Sequence, residues 1–465
     1  MNSLRAAGWI TFYLAIALSP LIVALFVGAP PGNGFRWDFA IALGIGALGL
    51  MATMPLLTGR FRRAVAPFGI DIIFYFHRLI GLVIVGAVLL HALLLLDLEP
   101  LLWHDLKPGG NSALQVGTGA LIALILLVGS SIARKIFHLP YDIWRKLHVL
   151  LAITALALSV THVACVNYIF STTILRYLLI GLALLWAALM IYMRVIRPVL
   201  LWRRPYRVES VVAERGRAWT LTLVPSGHSG FNFQPGQFAW LTIGHSPWAM
   251  QEHPFSIASS AEKFGAEKFC ANKFGEQKNI HQTETQQAGR IAFTIKELGD
   301  FTSTVGKIVS GQTAFVDGPY GAFSPDRHDT AGLVLIAGGI GIAPIMSMLR
   351  TFADRGDQRS ITLFYAYRNL ENLTFREELE SLAVQLKLKW VIVLAEPPTN
   401  WPPKDRPAER GLLTSEMITR HLPVDCQHCQ YYICGPQPML DVVETALQKS
   451  RISLDRMHFE FFDMV

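Results

Sequence analysis

Four histidines stand inside strongly apolar stretches: His77 and His91, then His148 and His162. Polar groups in such places are costly and are kept for function. The members of each pair are 14 residues apart. On an α-helix that interval rises about 21 Å and returns to within about 40° of its starting direction. Each stretch therefore carries two imidazoles on one face, near opposite sides of a bilayer. One such histidine alone reads as a core group bonded to a backbone carbonyl. Two pairs at one interval read as ligands, because neutral imidazoles facing one another at two depths suit the axial positions of two haem irons. No carboxylate or thiolate joins them at either depth, which argues against a bare metal ion, and no C-x-x-C-H exists for covalent haem attachment. His104 and His138 fall in loops and stay outside the set.

Holding four histidines this way takes membrane-spanning helices. The 465 residues are 52% hydrophobic and 16% charged, against about 25% charged in ordinary soluble domains. That excludes a disordered chain and a purely soluble one. Residues 1–204 carry 16 Lys+Arg and 6 Asp+Glu, a net +10, and residues 205–465 carry 25 and 28, a net −3. The basic residues of the first part lie between apolar runs, which fits membrane topology and not a nucleic-acid patch. A span needs about 20 apolar residues, and six runs qualify, at 7–28, 38–57, 71–97, 113–132, 142–165 and 172–195. The first is too long for a signal-peptide core and lacks a small-residue cleavage site, so it reads as retained. Arg60, Arg62 and Arg63 fall between spans 2 and 3, and Arg134, Lys135, Arg145 and Lys146 between spans 4 and 5. Arg194, Arg197, Arg203 and Arg204 follow span 6, whereas the opposite loops hold Arg36, Lys107 and Arg176. The positive-inside rule then places both termini in the cytoplasm, in a plasma or inner membrane. His77 and His148 share the inner level, and His91 and His162 the outer. Five cysteines (Cys165, Cys270, Cys426, Cys429, Cys434) make no disulfide framework, as expected of a reducing compartment.

This pattern, with the stretch Tyr141-Asp-Ile-Trp144-Arg145-Lys-Leu-His148, resembles the ferric reductase and NADPH oxidase superfamily, whose W-R-x-L-H segment it is similar to. The resemblance implies a multi-domain chain: an all-α six-helix transmembrane bundle with two haem b groups between helices 3 and 5, over residues 1–204, joined to a ferredoxin–NADP-reductase-like FAD/NADPH module. It makes His77, His91, His148 and His162 the axial ligands. Arg78 and Arg145 become candidates for propionate partners, beside plain topology-setting charge.

The second part carries the matching signals. Residues 205–329 alternate apolar and polar with Gly/Pro punctuation, with strands at Val208-Glu-Ser-Val-Val-Ala and Ala218-Trp-Thr-Leu-Thr-Leu-Val, and predict a small antiparallel β-barrel. His253-Pro254-Phe255-Ser256 is similar to the family's flavin signature, in which the aromatic lies against the isoalloxazine and the hydroxyl reaches the flavin. Gly299-Asp300-Phe301-Thr302 resembles the segment that opens a pyrophosphate-binding helix, where free N–H groups suit phosphate. Between them Ala261-Glu-Lys-Phe-Gly, Ala266-Glu-Lys-Phe-Cys and Ala271-Asn-Lys-Phe-Gly repeat with a period that is neither helical nor β. Residues 261–290 read as an insertion, either solvated or a basic-aromatic loop for lipid headgroups or a partner.

Residues 330–465 switch to α/β, with a parallel sheet expected. A strand, Gly332-Leu-Val-Leu-Ile-Ala, leads into Gly338-Gly339-Ile-Gly341-Ile-Ala-Pro344 and a helix through Leu349. The glycines let a pyrophosphate approach the backbone, and Pro344 suits the first turn. The spacing matches the variant in ferredoxin–NADP reductase relatives. Arg368 ends the next strand and can hold a 2′-phosphate, which favours NADPH, while Glu371 nearby keeps NADH open. The resemblance puts Cys434-Gly435-Pro436 beside the nicotinamide, with the cysteine positioning it for hydride transfer. It also implies an aromatic over the flavin at the chain end. By spacing that place falls on Met464, so either Phe462 takes it or a thioether does. Cys426-Gln-His-Cys429 is only half of a zinc pattern.

The function implied is that of an integral membrane oxidoreductase. NADPH reduces FAD, and electrons pass through two haems to a small acceptor beyond the bilayer. The outer loops, near 29–37, 98–112 and 166–171, are too short for a docking domain, which favours O2 giving superoxide, with a ferric chelate the alternative. Arg36, His104 or Arg176 would supply charge favouring the superoxide anion. A channel or transporter with a flavin regulatory domain is the rival class. A mere membrane anchor needs one span, not six. Protein partners are not legible.

Overall fold

The computed structural model describes every residue except 1, 28–33, 62–69, 108, 135, 169–170, 263–288, 404–405 and 462–465. The six apolar runs are helices: α1 Asn2–Val27, α2 Phe35–Thr58, α3 Ile70–Leu98, α4 Ser112–Ala133, α5 Tyr141–Val166 and α6 Thr173–Ile191. All are long and apolar enough to cross a bilayer, and the chain is an integral membrane protein. The last continues through a π-helical turn, Tyr192–Ile196, into Arg197–Trp202. Antiparallel neighbours α2/α3 and α4/α5 are the most closely packed helix pairs. Small and aliphatic side chains fill the middle of the bundle, among them Ala47, Leu48, Ile84, Ala123, Ala155, Leu156 and Leu179. Large apolar groups such as Phe12, Leu82, Leu126, Leu150 and Leu184 face outward, as suits a hydrocarbon solvent.

The chain divides into two compact units, 1–198 and 199–465. The second begins with six antiparallel strands: β1 Tyr206–Glu214, β2 Ala218–Pro225, β3 Phe238–Ile243, β4 His253–Ser256, β5 Ile291–Lys296 and β6 Thr313–Tyr320. Their order is β4-β3-β6-β1-β2-β5. The two edges meet where Ile257 bridges Phe293 and the Ala258 N–H donates to the Ala292 carbonyl at 2.8 Å, closing the sheet into the expected barrel. Tyr206, Leu221, Leu241, Ile257, Phe293 and Ile295 fill it.

The parallel sheet follows, with strands β7 Gly332–Gly338, β8 Ser360–Tyr367, β9 Leu388–Leu394, β10 Ala408–Arg410, β11 Cys429–Gly435 and β12 Met457–Phe461. Their order is β10-β9-β8-β7-β11-β12. Residues of β7 and β11 are buried throughout, because both faces are covered. Among the helices beside it are α7 Ile342–Arg355, α8 Arg376–Gln385 and α9 Gln437–Lys449. Helix α7 runs to Arg355, beyond the expected Leu349, and stops where Gly356 takes a left-handed φ of 63°. From β7 the sheet grows one way through β8 and the other way through β11. A crevice opens at such a switch point, outside the carboxyl ends of the strands.

Candidate functional site

Membrane helices bring the four histidines into two pairs. At the inner level the rings of His77 and His148 have centroids 6.3 Å apart, tilted by 57°. Two imidazoles on opposite sides of one metal, each bonded at about 2 Å, put their ring centres about 6 Å apart. Trp144, from the W-R-x-L-H stretch, lies 5.1 Å from the His148 ring, and Arg134 lies over Trp144 at 5.4 Å. His148 Nδ1 is 3.1 Å from Ser131 Oγ on α4, whereas the buried Nδ1 of His77 has no hydrogen-bond partner.

At the outer level the rings are held by backbone. His91 Nδ1 donates to the Ala40 carbonyl at 2.7 Å, and His162 Nδ1 donates to the Ala113 carbonyl at 2.8 Å. Four residues further along each supporting helix stands a glycine. A Cβ at Gly44 would sit 3.0 Å from the His91 ring, and one at Gly117 only 2.7 Å from His162. These glycines let a helix backbone press flat against an imidazole. With Nδ1 occupied, His91, His148 and His162 keep Nε2 as the lone-pair nitrogen, and no hydrogen bond among the described residues engages it. Among those residues no three His, Cys, Asp or Glu side chains converge to hold a metal ion. Paired imidazoles fit a planar group that brings its own equatorial ligands, as haem does.

In the barrel, His253 and Phe255 alternate with Pro254 and Ser256 along β4, so the two aromatics share a face. Phe301 joins them: its ring stacks on His253 at 4.1 Å and 14°, and lies 6.0 Å from Phe255. The strand motif and the Gly299–Thr302 turn therefore form one aromatic surface. Ser256 points the other way and is buried. The helix expected after Gly299 is only a six-residue 3-10 turn, Thr302–Lys307. Thr302 Oγ1 accepts from the Leu298 and Gly299 N–H groups at 2.9 and 2.8 Å, so those two donors are taken by the turn itself.

The nucleotide motifs meet at the switch point. Cys434 pairs with Ala337 across β11 and β7, which sets Gly338 against Gly435. A Cβ on Gly341 would lie 2.2 Å from the Cys434 carbonyl oxygen, and one on Gly435 would lie 3.1 Å from Gly338 Cα. Gly339 has a φ of +55°, and a Cβ there would meet nothing. The first two glycines thus permit a close backbone approach, and the third turns the chain beneath open space. Pro344 stands in the first turn of α7 and Pro436 just ahead of α9. Cys434 is fully buried. Arg368 follows β8, and its Nε is held at 2.9 Å by Glu396, both exposed. Glu396 escaped the sequence reading, which weighed Glu371. Phe462 and Met464 lie outside the described residues, as do Arg62, Arg63, Lys135 and most of the pentapeptide insertion.

Helix α7 ties the nucleotide domain to the flavin strand. Arg350 makes a bidentate pair with Glu378 at 2.6 and 2.8 Å, donates to the Ala258 carbonyl and lies 4.9 Å over Phe375. Ser347 donates to the Ser259 carbonyl at 2.7 Å, and Thr351 accepts from the Ala261 N–H at 2.9 Å. Beside β11, His458 stacks on His328 at 4.1 Å and on Tyr432 at 4.8 Å, with Nε2 bonded to Gln430. Burial, with the nearby His328 charge adding to it and Asp455 opposing, holds its pKa down to about 4.

Comparison with known proteins finds three matching stretches. Residues 43–160 match the family described as ferric reductase like transmembrane component, 219–324 an FAD-binding domain and 335–445 an oxidoreductase NAD-binding domain. The reductase component of propane 2-monooxygenase from Mycolicibacterium goodii is 27% identical over 247 residues, 52% of this chain and 63% of that protein. NADH-cytochrome b5 reductase 1 from Laccaria bicolor is 34% identical over 167 residues, 35% of this chain and 53% of that one. The chain thus spans under two thirds of either relative's length. Among solved structures, the FAD/NAD-binding domain of a nitric oxide dioxygenase from Vibrio cholerae aligns at a TM-score of 0.44 and 17% identity, over 56% of this chain and 98% of that one.

Proposed function

The chain fuses a ferric-reductase-like transmembrane component to an FAD-binding and an NAD-binding domain, and from that premise we propose that it moves electrons from cytoplasmic NADPH across the bilayer to a small acceptor on the far side. The observation that carries this reading is the pair of histidine levels, with inner rings 6.3 Å apart. When bound, FAD, two haem b groups and the nicotinamide would supply the redox chemistry, and the protein supplies position and electrostatics. His77 and His148 would hold the inner haem, and His91 and His162 the outer. The grouped rings of His253, Phe255 and Phe301 would offer aromatic contact to an isoalloxazine. Gly339 leaves the backbone open to a pyrophosphate at the α7 N-terminus, and Gly341 lets that turn pack against Cys434. Cys434, Gly435 and Pro436 follow one another at the carboxyl end of β11, beside which a nicotinamide would lie, and Arg368, just after β8, would meet the 2′-phosphate. The distribution of basic residues among the loops supports a cytoplasmic side for both termini and for the FAD-binding and NAD-binding domains.

A reduced-minus-oxidised spectrum with haem quantification tests the reading: two bis-histidine haem b per chain are expected, and one or none overturns it. Dioxygen, giving superoxide, remains the acceptor that the short outer loops favour. Arg36 contributes less to it than its sequence position suggests, since Asp97 pairs with it at 2.5 Å. Arg176, over the Tyr177 ring, is a second source of positive charge, and His104 lies in the same set of loops. A superoxide-dismutase-sensitive dye assay in air decides between acceptors. NADPH oxidation that stalls in air and resumes with ferric chelate replaces dioxygen by ferric iron.

A further inference from the structure

Two helical hairpins in the membrane unit repeat one another in register. Ala40, Gly44 and Thr58 on α2 correspond to Ala113, Gly117 and Ser131 on α4, each offset by 73 residues. His77 and His91 on α3 correspond to His148 and His162 on α5, offset by 71. At the outer level the correspondence extends to contacts, because each ring donates to a helix carbonyl and packs on a glycine. At the inner level it breaks. Ser131 reaches His148, but the Thr58 hydroxyl makes no hydrogen bond among the described residues, and His77 Nδ1 has no partner.

The proton count at Ser131 fixes the direction of its bond. Its hydroxyl donates to the Leu127 carbonyl at 2.8 Å. With that single proton committed, Oγ offers a lone pair to His148, and the Nδ1–H of His148 donates to it at 3.1 Å. An acceptor behind a metal-bound imidazole fixes its tautomer and orientation and raises its basicity, which favours the oxidised metal. Outside, that acceptor is peptide backbone and no side-chain change removes it. Inside, it is one hydroxyl on one of the two rings.

We propose that Ser131 is a positioning residue for the inner haem. It holds His148 as the Nδ1–H tautomer, presents Nε2 to the iron and tunes the inner centre independently of the outer one. This rests on the haem-ligand reading given above.

The test is a potentiometric titration of the purified full-length holoprotein, followed by optical spectra and low-temperature EPR. In Ser131→Ala one of the two midpoint potentials rises and one low-spin EPR signal shifts, while the other centre is unchanged. Ser131→Thr restores both, and Thr58→Ala moves neither. Loss of a single haem in Ser131→Ala with both retained in Ser131→Thr supports the same role. The proposal is overturned if Ser131→Ala leaves both potentials in place, if both shift together, if Thr58→Ala moves the same centre, or if the Ala and Thr variants lose haem alike. A wild-type protein without two bis-histidine signals overturns the underlying functional reading instead, and that is seen before any substitution is made.

Discussion

An NADPH 2′-phosphate arriving at Arg368 would have to take the guanidinium from Glu396, whose Oε1 holds its Nε at 2.9 Å. Exposed pairs of this kind are worth up to about 1 kcal/mol. Glu396→Gln should therefore raise kcat/KM for NADPH roughly threefold to fivefold and leave NADH unchanged. Arg368→Ala should lower the NADPH value and abolish the gain from Glu396→Gln in the double variant, which steady-state kinetics with both nucleotides will read. His458 gives a pH dependence. Folded, it titrates near about 4 because it is buried beside His328, whereas unfolded it titrates near 6.5. Between those values the unfolded chain binds a proton that the folded one refuses. Stability is therefore full above about pH 6.5 and falls as the pH drops toward 4. Melting of the full-length protein across that range should show the loss, and His458→Gln should flatten it. The four histidine positions were legible in the sequence because a polar residue stands out against an apolar run. Their supports were not: Ala40, Gly44, Ala113 and Gly117 read like any small residues of a span, and only the same Ala-x-x-x-Gly spacing in spans 2 and 4 marks them. Glu396 was hidden for another reason, being 28 residues from Arg368 and brought beside it by β8–β9 pairing.

Helix α7 carries two duties on one element. Its first turn faces the nucleotide crevice, and one and two turns later Ser347, Arg350 and Thr351 grip residues 258–261 at the end of the flavin strand. Arg350 is 7% exposed and Glu378 24%, and breaking a buried pair leaves one charge unmatched. Arg350→Ala should cost about 3 kcal/mol in chemical unfolding of the two nucleotide-binding domains and weaken FAD retention, because the strand that carries His253 and Phe255 loses its anchor. Arg350→Lys should recover only part, since an ammonium cannot make the bidentate contact. The start of this helix was readable from Gly339, Gly341 and Pro344. Its end was placed at Leu349 although no breaker stands there, and the physical stop is Gly356. The Gly299–Thr302 turn failed differently. Thr302 spends its hydroxyl on the preceding amides, and the backbone tightens into a 3-10 turn where a longer helix was expected. Strand β3, buried at every position, shows no alternation to read.

At the scale of the whole chain, the separation of charge into net +10 over residues 1–204 and −3 over 205–465 gave the plan of a membrane part followed by a globular part. Composition can do this because hydrocarbon and water select opposite surfaces. The barrel and the parallel sheet were distinguishable because one is punctuated every few residues and the other alternates long apolar runs with helices. The 14 residues between histidines on α3 and on α5 have an electrical meaning as well. Their rise of about 21 Å is roughly two-thirds of a hydrocarbon core about 30 Å thick. A unit charge crossing the whole membrane field exchanges about 2.3 kcal/mol per 100 mV. An electron carried from the inner histidines to the outer ones would exchange about 1.5 kcal/mol per 100 mV. Leaving an inside-negative compartment, it would be helped by the field. In vesicles clamped by a potassium gradient and valinomycin, outward transfer should slow as the interior is made positive, and a rate indifferent to voltage would mean that the electrons do not travel this interval. Turnover would then itself be a current, which in a closed compartment would discharge the potential driving it until a cation followed the electrons out.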